Sequence, residues 1–171
     1  MKELILITGA SSGIGYEMAR ILAAKKKYDL VLVARNIEKL SALQRELRSS
    51  YGIQVDVFQK DLSETGRAIE LYDEIKTRGL EVTMLVNNAG VGSYGNFSDT
   101  DLDAELRMIN LNVGSLVTLT KLFIQDMLIR KHGKVMNVAS LLSFLPFPYY
   151  AVYSATKAFV LAFSETIASE L

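Results

Sequence analysis

Apolar residues along the chain follow two alternating patterns. Short, nearly continuous apolar runs, typical of strands buried on both faces of a sheet, are separated by longer stretches with apolar positions every three or four residues, as in helices. The runs predict strands over 4–7, 29–34, 55–58, 82–86 and 134–139, and the periodic stretches predict helices that begin near Ile14, Ile37, Ala68, Asp101 and Val152. This alternation predicts an α/β fold built on a doubly wound parallel sheet.

A glycine-rich stretch, Thr8 to Gly15 (TGASSGIG), lies between the first strand and the first helix. Gly9 permits a sharp exit from the strand, Gly13 lets the backbone approach a bulky anion, and Gly15 lets the helix pack closely on the sheet. The first N–H groups of the helix then face a phosphate. Because the spacing differs from the generic G-x-G-x-x-G fingerprint, an ordinary strand-to-helix turn stays an alternative on these residues alone.

Composition narrows the class of protein. The 171 residues fit one domain, 1–171, long enough to bury a core, and 19 basic residues balance 19 acidic ones, which gives no reason to expect a nucleic-acid partner. The absence of cysteine and the single histidine, His132, argue against a metal site. We find no signal sequence and no run of membrane-spanning length, so we expect a cytoplasmic protein without a membrane partner.

Arg35 directly follows the second predicted strand. In dinucleotide-binding folds an acidic residue near this point binds the ribose 2′-hydroxyl of NAD, whereas an arginine accommodates the 2′-phosphate of NADP. Asp29 lies at the start of the strand, too far from its carboxyl end. We therefore expect NADP(H), with a solvated Arg35 paired to surface carboxylates as the alternative.

Local structure alone can explain two of three further polar segments. Asp61 or Ser63 can cap the following helix. The segment Asn87 to Gly90 (NNAG) can form a simple turn after the fourth strand. Asn110 lies within a predicted helix, where its low helix propensity and apolar surroundings favour a specific hydrogen-bonding role.

Tyr153 and Lys157 lie four residues apart at the start of the last predicted helix, so their side chains leave the same face one turn apart. A phenol is a poor base at neutral pH, and a nearby ammonium favours the phenolate, by about 4 kcal/mol at about 4 Å in an effective dielectric of about 20. Ser140 follows the fifth strand at its carboxyl end, where parallel sheets place their ligands. Taken alone, the Tyr/Lys pair can also be an ordinary surface pair.

The order of these elements resembles that of the short-chain dehydrogenase/reductase family over the whole chain. The resemblance implies a Rossmann-like fold and hydride transfer between NADP(H) and a carbonyl or secondary alcohol. It implies that Ser140 orients the carbonyl and that Tyr153 transfers its proton. Lys157 would favour the phenolate and bind the nicotinamide ribose, while Asn110 would hold a water that links Lys157 to solvent. Coenzyme contacts are implied for Gly9, Ser11, Ser12, Gly13, Ile14, Gly15, Arg35, Asp61, Leu62, Asn88, Ala89, Gly90, Tyr153 and Lys157.

Two further expectations concern the length of the natural protein and its oligomeric state. Family members continue into further C-terminal strands that are absent from the given chain, so we expect the natural protein to extend by about 60 to 90 residues. The implied pairing of helices 101–129 and 152–171 with their symmetry mates predicts a homodimer or homotetramer. The candidates for a second apolar face on these helices are Leu116, Leu119, Phe123, Phe159 and Phe163.

The segment 141–150 (LLSFLPFPYY) is apolar and contains both prolines of the chain, which predicts a stiff loop over the cleft rather than a strand. Its composition favours an apolar carbonyl or alcohol substrate, such as a simple ketone, a 3-ketoacyl compound or a steroid-like molecule. Because a fold does not dictate a function, a non-catalytic NADP(H)-sensing module on the same fold is the alternative.

Overall fold

A five-stranded parallel sheet forms the centre of the computed structural model, which describes residues 2–171. The strands are β1 (Glu3–Thr8), β2 (Tyr28–Ala34), β3 (Val55–Gln59), β4 (Val82–Asn87) and β5 (Lys134–Asn137), in the spatial order β3-β2-β1-β4-β5. The chain order reverses beside β1, and open parallel sheets bind ligands at the carboxyl ends of the strands that flank such a switch point.

Helices cover both faces of the sheet. They are α1 (Gly13–Ala24), α2 (Ile37–Tyr51), α3 (Arg67–Thr77), α4 (Leu102–Ile109), α5 (Leu116–Arg130) and α6 (Ala151–Glu170). A π-helical turn, Asn110–Ser115, joins α4 to α5, and a short 3₁₀ turn, Leu141–Ser143, opens the segment before α6. The predicted α/β fold is confirmed, and none of these helices is long and apolar enough to cross a bilayer.

Each face of the sheet buries its own apolar core. In β1, Ile5 and Ile7 pack in the core under α1 and α2, whereas Leu6 packs in the core under α3 and α5. Successive side chains of a strand point to opposite faces, so a strand covered on both sides must be apolar at every position. This is why the strands appear in the sequence as continuous apolar runs.

The three residues of α5 predicted to form a second apolar face do not form one. Leu116, Leu119 and Phe123 are all buried, and α5 turns Leu119 and Phe123 towards the sheet and α3. The other two candidates, Phe159 and Phe163 of α6, stack on each other with ring centroids 5.7 Å apart, and Phe159 is 41% exposed. Exposed apolar surface therefore exists on α6 but not at the predicted positions of α5.

Candidate active site

A cavity of about 600 Å³ lies at the carboxyl ends of the central strands, a volume in the range of small-molecule and cofactor sites. It collects most of the predicted site residues, namely Gly9, Ser11, Ser12, Gly13, Ile14, Arg35, Asp61, Leu62, Asn88, Ala89, Gly90, Tyr153 and Lys157. Gly15, Asn110 and Ser140 do not line it. Lining residues that the sequence did not predict include Asn36, Lys39, Lys60, Val91, Gly92 and Leu111.

Close approaches of neighbouring backbone leave no room for a side chain at two glycines of the first turn, whereas the third glycine faces open space. Gly9 has a left-handed backbone (φ +69°), and a Cβ there would lie 2.9 Å from the Cα atom of Ala89. A Cβ on Gly15 would lie 2.5 Å from the carbonyl oxygen of Gly9. A Cβ on Gly13 would meet nothing within 4 Å, because this residue faces the cavity. The turn thus packs tightly at its ends and is open in the middle.

Thr8 ties the glycine turn to the NNAG segment. Its buried hydroxyl accepts hydrogen bonds from the backbone N–H groups of Asn88 and Ala89, each at 3.0 Å, and donates to the carbonyl of Val86 at 3.3 Å. The side-chain amide of Asn88 donates to the Thr8 carbonyl at 2.9 Å. The two segments that form the floor of the cavity are therefore one hydrogen-bonded unit.

Asn87 steadies the sheet on the other side of the same segment. Its side-chain amide donates to the Thr120 hydroxyl of α5 and to the Asn137 side-chain carbonyl of β5, each at 2.9 Å. Asn87 and its bond to Thr120 are buried. Together with the Thr8 contacts at Asn88 and Ala89, these bonds hold the first three residues of the NNAG segment in place.

The N-terminus of α1 presents free backbone N–H groups to the cavity. Its N-cap residue, Ser12, makes no side-chain capping bond, and the first turn contains no acidic residue. Unsatisfied N–H groups and the positive end of the helix dipole favour an anion here. The residues present therefore fit the pyrophosphate of a dinucleotide.

Asp61 lies at the other end of the cavity and is bound on both carboxylate oxygens. Oδ1 accepts from the backbone N–H and the hydroxyl of Ser63 at 3.0 and 2.6 Å, and Oδ2 lies 3.0 Å from Nη2 of Arg107 and 4.0 Å from Nη1 of Arg35. Partial burial acts to raise the pKa of Asp61, but the Ser63 hydrogen bonds and the two guanidinium groups lower it overall. The carboxylate is therefore charged and compensated.

The prediction that Asp61 or Ser63 caps the next helix was wrong. Helix α3 begins only at Arg67, and its N-cap is Gly66, which has no capping side chain. Asp61 and Ser63 instead bond to each other within their own turn. This leaves the turn free to line the cavity.

Lys157 is a buried lysine at the end of the cavity that Tyr153 also lines. Only 6% of the residue is exposed, and Nζ donates to the carbonyl of Val138 at 2.8 Å. Burial lowers its pKa, since removal from water disfavours the charged ammonium. Both Tyr153 and Lys157 line the cavity, as their spacing on one helix face predicted.

Asn110 does not lie near Lys157 in the structure, whereas Asn112 lies near both Lys157 and Gly90. The amide of Asn110 donates to the carbonyl of Ser63 at 3.0 Å, on the Asp61 side of the cavity. A Cβ built on Gly90 would lie 3.2 Å from Oδ1 of Asn112 and 3.5 Å from Nζ of Lys157. The placement of Asn110 beside Lys157 is thus corrected to Asn112.

Helix geometry explains this correction. Residues two apart point to nearly opposite sides of an α-helix, about 200° apart, and the two asparagines also face different sides in this π-helical turn. Both were visible in the sequence as polar residues within a predicted helix. Only the packing of the π-helical turn Asn110–Ser115 decides which of them faces Lys157.

Ser140 lies at the rim, next to the cavity-lining Ala139. Its hydroxyl accepts from the N–H of Leu142 at 3.2 Å, and its own N–H donates to the Ser143 hydroxyl at 3.1 Å, which caps the 3₁₀ turn. Since the Ser140 hydroxyl acts as an acceptor in this cap, its proton is available for another acceptor.

A row of aromatic rings leads away from Tyr153. The ring centroids of Tyr153 and Tyr150 are 6.2 Å apart, and Tyr150 lies 5.2 Å from Tyr94 and 6.1 Å from Phe147. The N–H of Gly95 donates to the carbonyl of Tyr149, which joins the loop after β4 to the segment 141–150. That segment contains turns and no strand, as predicted. Together the two loops form an apolar wall beside Tyr153.

Comparisons with known proteins agree with this architecture. The family model described as "short chain dehydrogenase" matches residues 3–171. Human 17-beta-hydroxysteroid dehydrogenase type 3 is 35% identical over 176 residues, which cover 99% of this chain and 54% of that protein. The very-long-chain 3-oxoacyl-CoA reductase of Anas platyrhynchos is 37% identical over 171 residues, which cover 96% of this chain and 54% of that protein.

Solved structures give the same result. A short-chain dehydrogenase from Sphingobium yanoikuyae in complex with NADPH superimposes with a TM-score of 0.92 at 34% identity, covering 99% of this chain and 65% of that one. The chain spans about half the length of the curated relatives it matches.

Proposed function

The chain belongs to the short-chain dehydrogenase family, and we propose that it is the dinucleotide-binding and catalytic part of an NADP(H)-dependent oxidoreductase. The reaction is the interconversion of a carbonyl and a secondary alcohol. The observation that carries this proposal is the buried Lys157, which lines, together with Tyr153, a cavity of cofactor size.

The side chains around Tyr153 suit proton transfer to a carbonyl oxygen. In the reductive direction the Tyr153 hydroxyl donates its proton to the substrate oxygen, and Ser140 donates a hydrogen bond to the same oxygen. The Lys157 ammonium stabilises the phenolate that remains, because an opposite charge nearby favours the ionised form. NADPH, when bound, supplies the hydride, and the chain supplies position and electrostatics.

Asn112 takes the role that the resemblance implied for Asn110. Its side chain is held by three hydrogen bonds, with Oδ1 accepting from the N–H of Val91 and Nδ2 donating to the carbonyl of Val91 and the hydroxyl of Thr156. We assign Asn112 to the support of Lys157, either by holding a water beside Nζ or by shaping the pocket that receives it.

Two observations support NADP(H) rather than NAD(H). Arg35 lines the cavity at the end of β2, where a 2′-phosphate would lie, and guanidinium groups bind phosphate in a bidentate manner. Solved structures similar to this chain include short-chain oxidoreductases in complex with NADPH and with NADP. Asp61, which also lines the cavity, has its closest cation in Arg107, at 3.0 Å.

The proposed substrate is an apolar ketone, a 3-ketoacyl compound or a steroid-like molecule. The aromatic row from Tyr153 to Tyr94 offers an apolar surface beside the reacting group. The names of two relatives, a hydroxysteroid dehydrogenase and a very-long-chain 3-oxoacyl-CoA reductase, belong to the same chemical range. A cytoplasmic location stays a prediction.

The test is a screen of ketones, 3-ketoacyl compounds and steroid ketones, with NADPH absorbance followed over time. We expect turnover with apolar ketones, and we expect Tyr153→Phe to abolish it while NADPH affinity changes by less than about 1 kcal/mol, because only the proton-transferring hydroxyl is removed. Arg35→Ala should lower the NADPH/NADH ratio of kcat/KM. NADPH binding without turnover of any substrate would favour the sensing module instead.

A further inference from the structure

Two arginines from different elements approach one carboxylate at the Arg35 end of the cavity. Nη2 of Arg107 lies 3.0 Å from Oδ2 of Asp61 and 2.9 Å from the Ser63 hydroxyl, so its guanidinium contacts two acceptors. Nη1 of Arg35 lies 4.0 Å from the same Oδ2, and the Arg35 side chain is 66% exposed. Arg107 is therefore the closer partner of Asp61.

We propose that Arg107 is a positioning residue that sets the coenzyme preference by neutralising Asp61 and so leaving Arg35 free for the 2′-phosphate. The inference rests on the proposed NADP(H)-dependent function. An uncompensated carboxylate at this place would compete with the phosphate for Arg35 and would repel the phosphate itself. With Arg107 in contact, Asp61 keeps its place in the cavity wall without that penalty.

The other charges of the cavity leave Asp61 as the decisive anion. Among residues 2–171, it is the only carboxylate that lines the cavity. Lys60 also lines it, but its ammonium is compensated by Glu70 at 3.2 Å and Glu74 at 2.6 Å. Lys39, in the first turn of α2, adds a further cation on the Arg35 side. Within the described chain, Asp61 is therefore the one lining anion that can offset the positive charge of Arg35 and Lys39 at this end of the cavity.

Side-chain contacts of the π-helical turn after α4 hold the helical segment of Arg107 against the turn that contains Asp61. Three and eight residues further along, Asn110 donates to the carbonyl of Ser63 and Ser115 to the carbonyl of Leu62. The π-helical turn brings both side chains onto the same cavity-lining turn. Arg107 thus approaches Asp61 from a helical segment that is itself anchored to the turn, while its side chain is 54% exposed and that of Asp61 is 24% exposed.

The test is a fluorescence titration of NADPH and of NADH with wild type, Arg107→Met, Asp61→Asn and the double variant. We expect Arg107→Met to weaken NADPH binding about fivefold more than NADH binding, in line with partly exposed charge pairs. In the Asp61→Asn background the same substitution should change the ratio of the two affinities by less than about twofold, because the charge to be neutralised is gone. Arg107→Lys keeps the charge and should keep the ratio.

Each other outcome counts against the inference. An equal loss for both coenzymes would make Arg107 a structural residue only, and an undiminished effect in the Asp61→Asn background would mean that Arg107 acts on the phosphate directly. Arg20→Met, which removes an exposed arginine of α1 outside the cavity lining, controls for the loss of one positive charge. If folded wild type binds neither coenzyme, the proposed function fails, and this inference fails with it.

Discussion

The side-chain amide of Asn112 donates to the hydroxyl of Thr156 at 3.0 Å, which joins the π-helical turn to α6 one residue before Lys157. Both residues are buried, and the Thr156 hydroxyl donates in turn to the carbonyl of Tyr153 at 2.8 Å. The turn of α6 that contains Tyr153 and Lys157 is thus positioned by the π-helical turn between α4 and α5. Asn110 and Asn112 both belong to this π-helical turn, and they contact different ends of the cavity.

We first predict that Asn112→Ala and Asn110→Ala affect different kinetic constants. Asn112→Ala removes the three hydrogen bonds of a buried side chain near Lys157, so it should lower kcat and destabilise the fold by about 1 to 3 kcal/mol. Asn110→Ala releases the turn at Ser63 and should mainly raise KM for NADPH. Steady-state kinetics and thermal unfolding distinguish the two. If Asn110→Ala lowered kcat more than Asn112→Ala, our placement of the two residues would be mistaken.

A second prediction concerns Gly92, which packs against the ring of Tyr153. A Cβ at this position would lie 3.2 Å from Cδ2 of Tyr153, tight enough to push the ring by a few tenths of an ångström. Misplacement of a reacting group is costly, so Gly92→Ala should lower kcat about three- to tenfold. NADPH affinity and the unfolding temperature should change little. Unaltered kcat would show that the loop yields instead of the ring.

The third prediction is a pH dependence of stability that comes from Lys157. Its pKa in the folded protein is lowered by burial, so the unfolded chain binds this proton more tightly. The resulting penalty on the folded state is fully present below the lowered pKa, and it disappears as the pH rises towards the ordinary lysine value of 10.5. The stability of Lys157→Met relative to wild type should therefore be greatest at low pH and decline as the pH rises.

Denaturant unfolding of both proteins between neutral and alkaline pH measures this difference. Lys27→Met, at an exposed position after α1, controls for the general effect of deleting one positive charge. A stability difference between Lys157→Met and wild type that grows with pH would contradict the prediction. The variant should have no reductase activity at any pH, since the cation beside Tyr153 is lost.

The fourth prediction is two-fold association through α4 and α6. The exposed apolar residues Leu102, Leu106 and Ile109 on α4 and Phe159 on α6 lie on helices that contact each other. Burial of this surface against a second copy would remove it from water. We expect a dimer or tetramer by light scattering at micromolar concentration and dissociation in Phe159→Glu. Ile21→Glu, at an exposed apolar position on α1, is the control. A wild-type monomer would rule out the association.

Much of this protein is determined by local sequence. The five strands were predicted to within two residues of their observed ends. The central strands β1, β2 and β4 are covered on both faces and are therefore almost continuously apolar. The spacing of Tyr153 and Lys157 placed both side chains on one helix face, and the glycine turn predicted where an anion can approach. These features depend on neighbours within one helical turn or one strand, so the order of residues suffices to predict them.

Tertiary structure decided the features that depend on packing between distant segments. The sequence shows two asparagines in one helix, but only the π-helical turn sends Asn110 to Ser63 and Asn112 towards Lys157. The burial of Leu119 and Phe123 follows from the side of α5 that the sheet and α3 cover, which apolar content alone does not reveal. Likewise, no local pattern connects Arg107 with Asp61, which are 46 positions apart. Their contact exists only because α4 packs against the turn that contains Asp61.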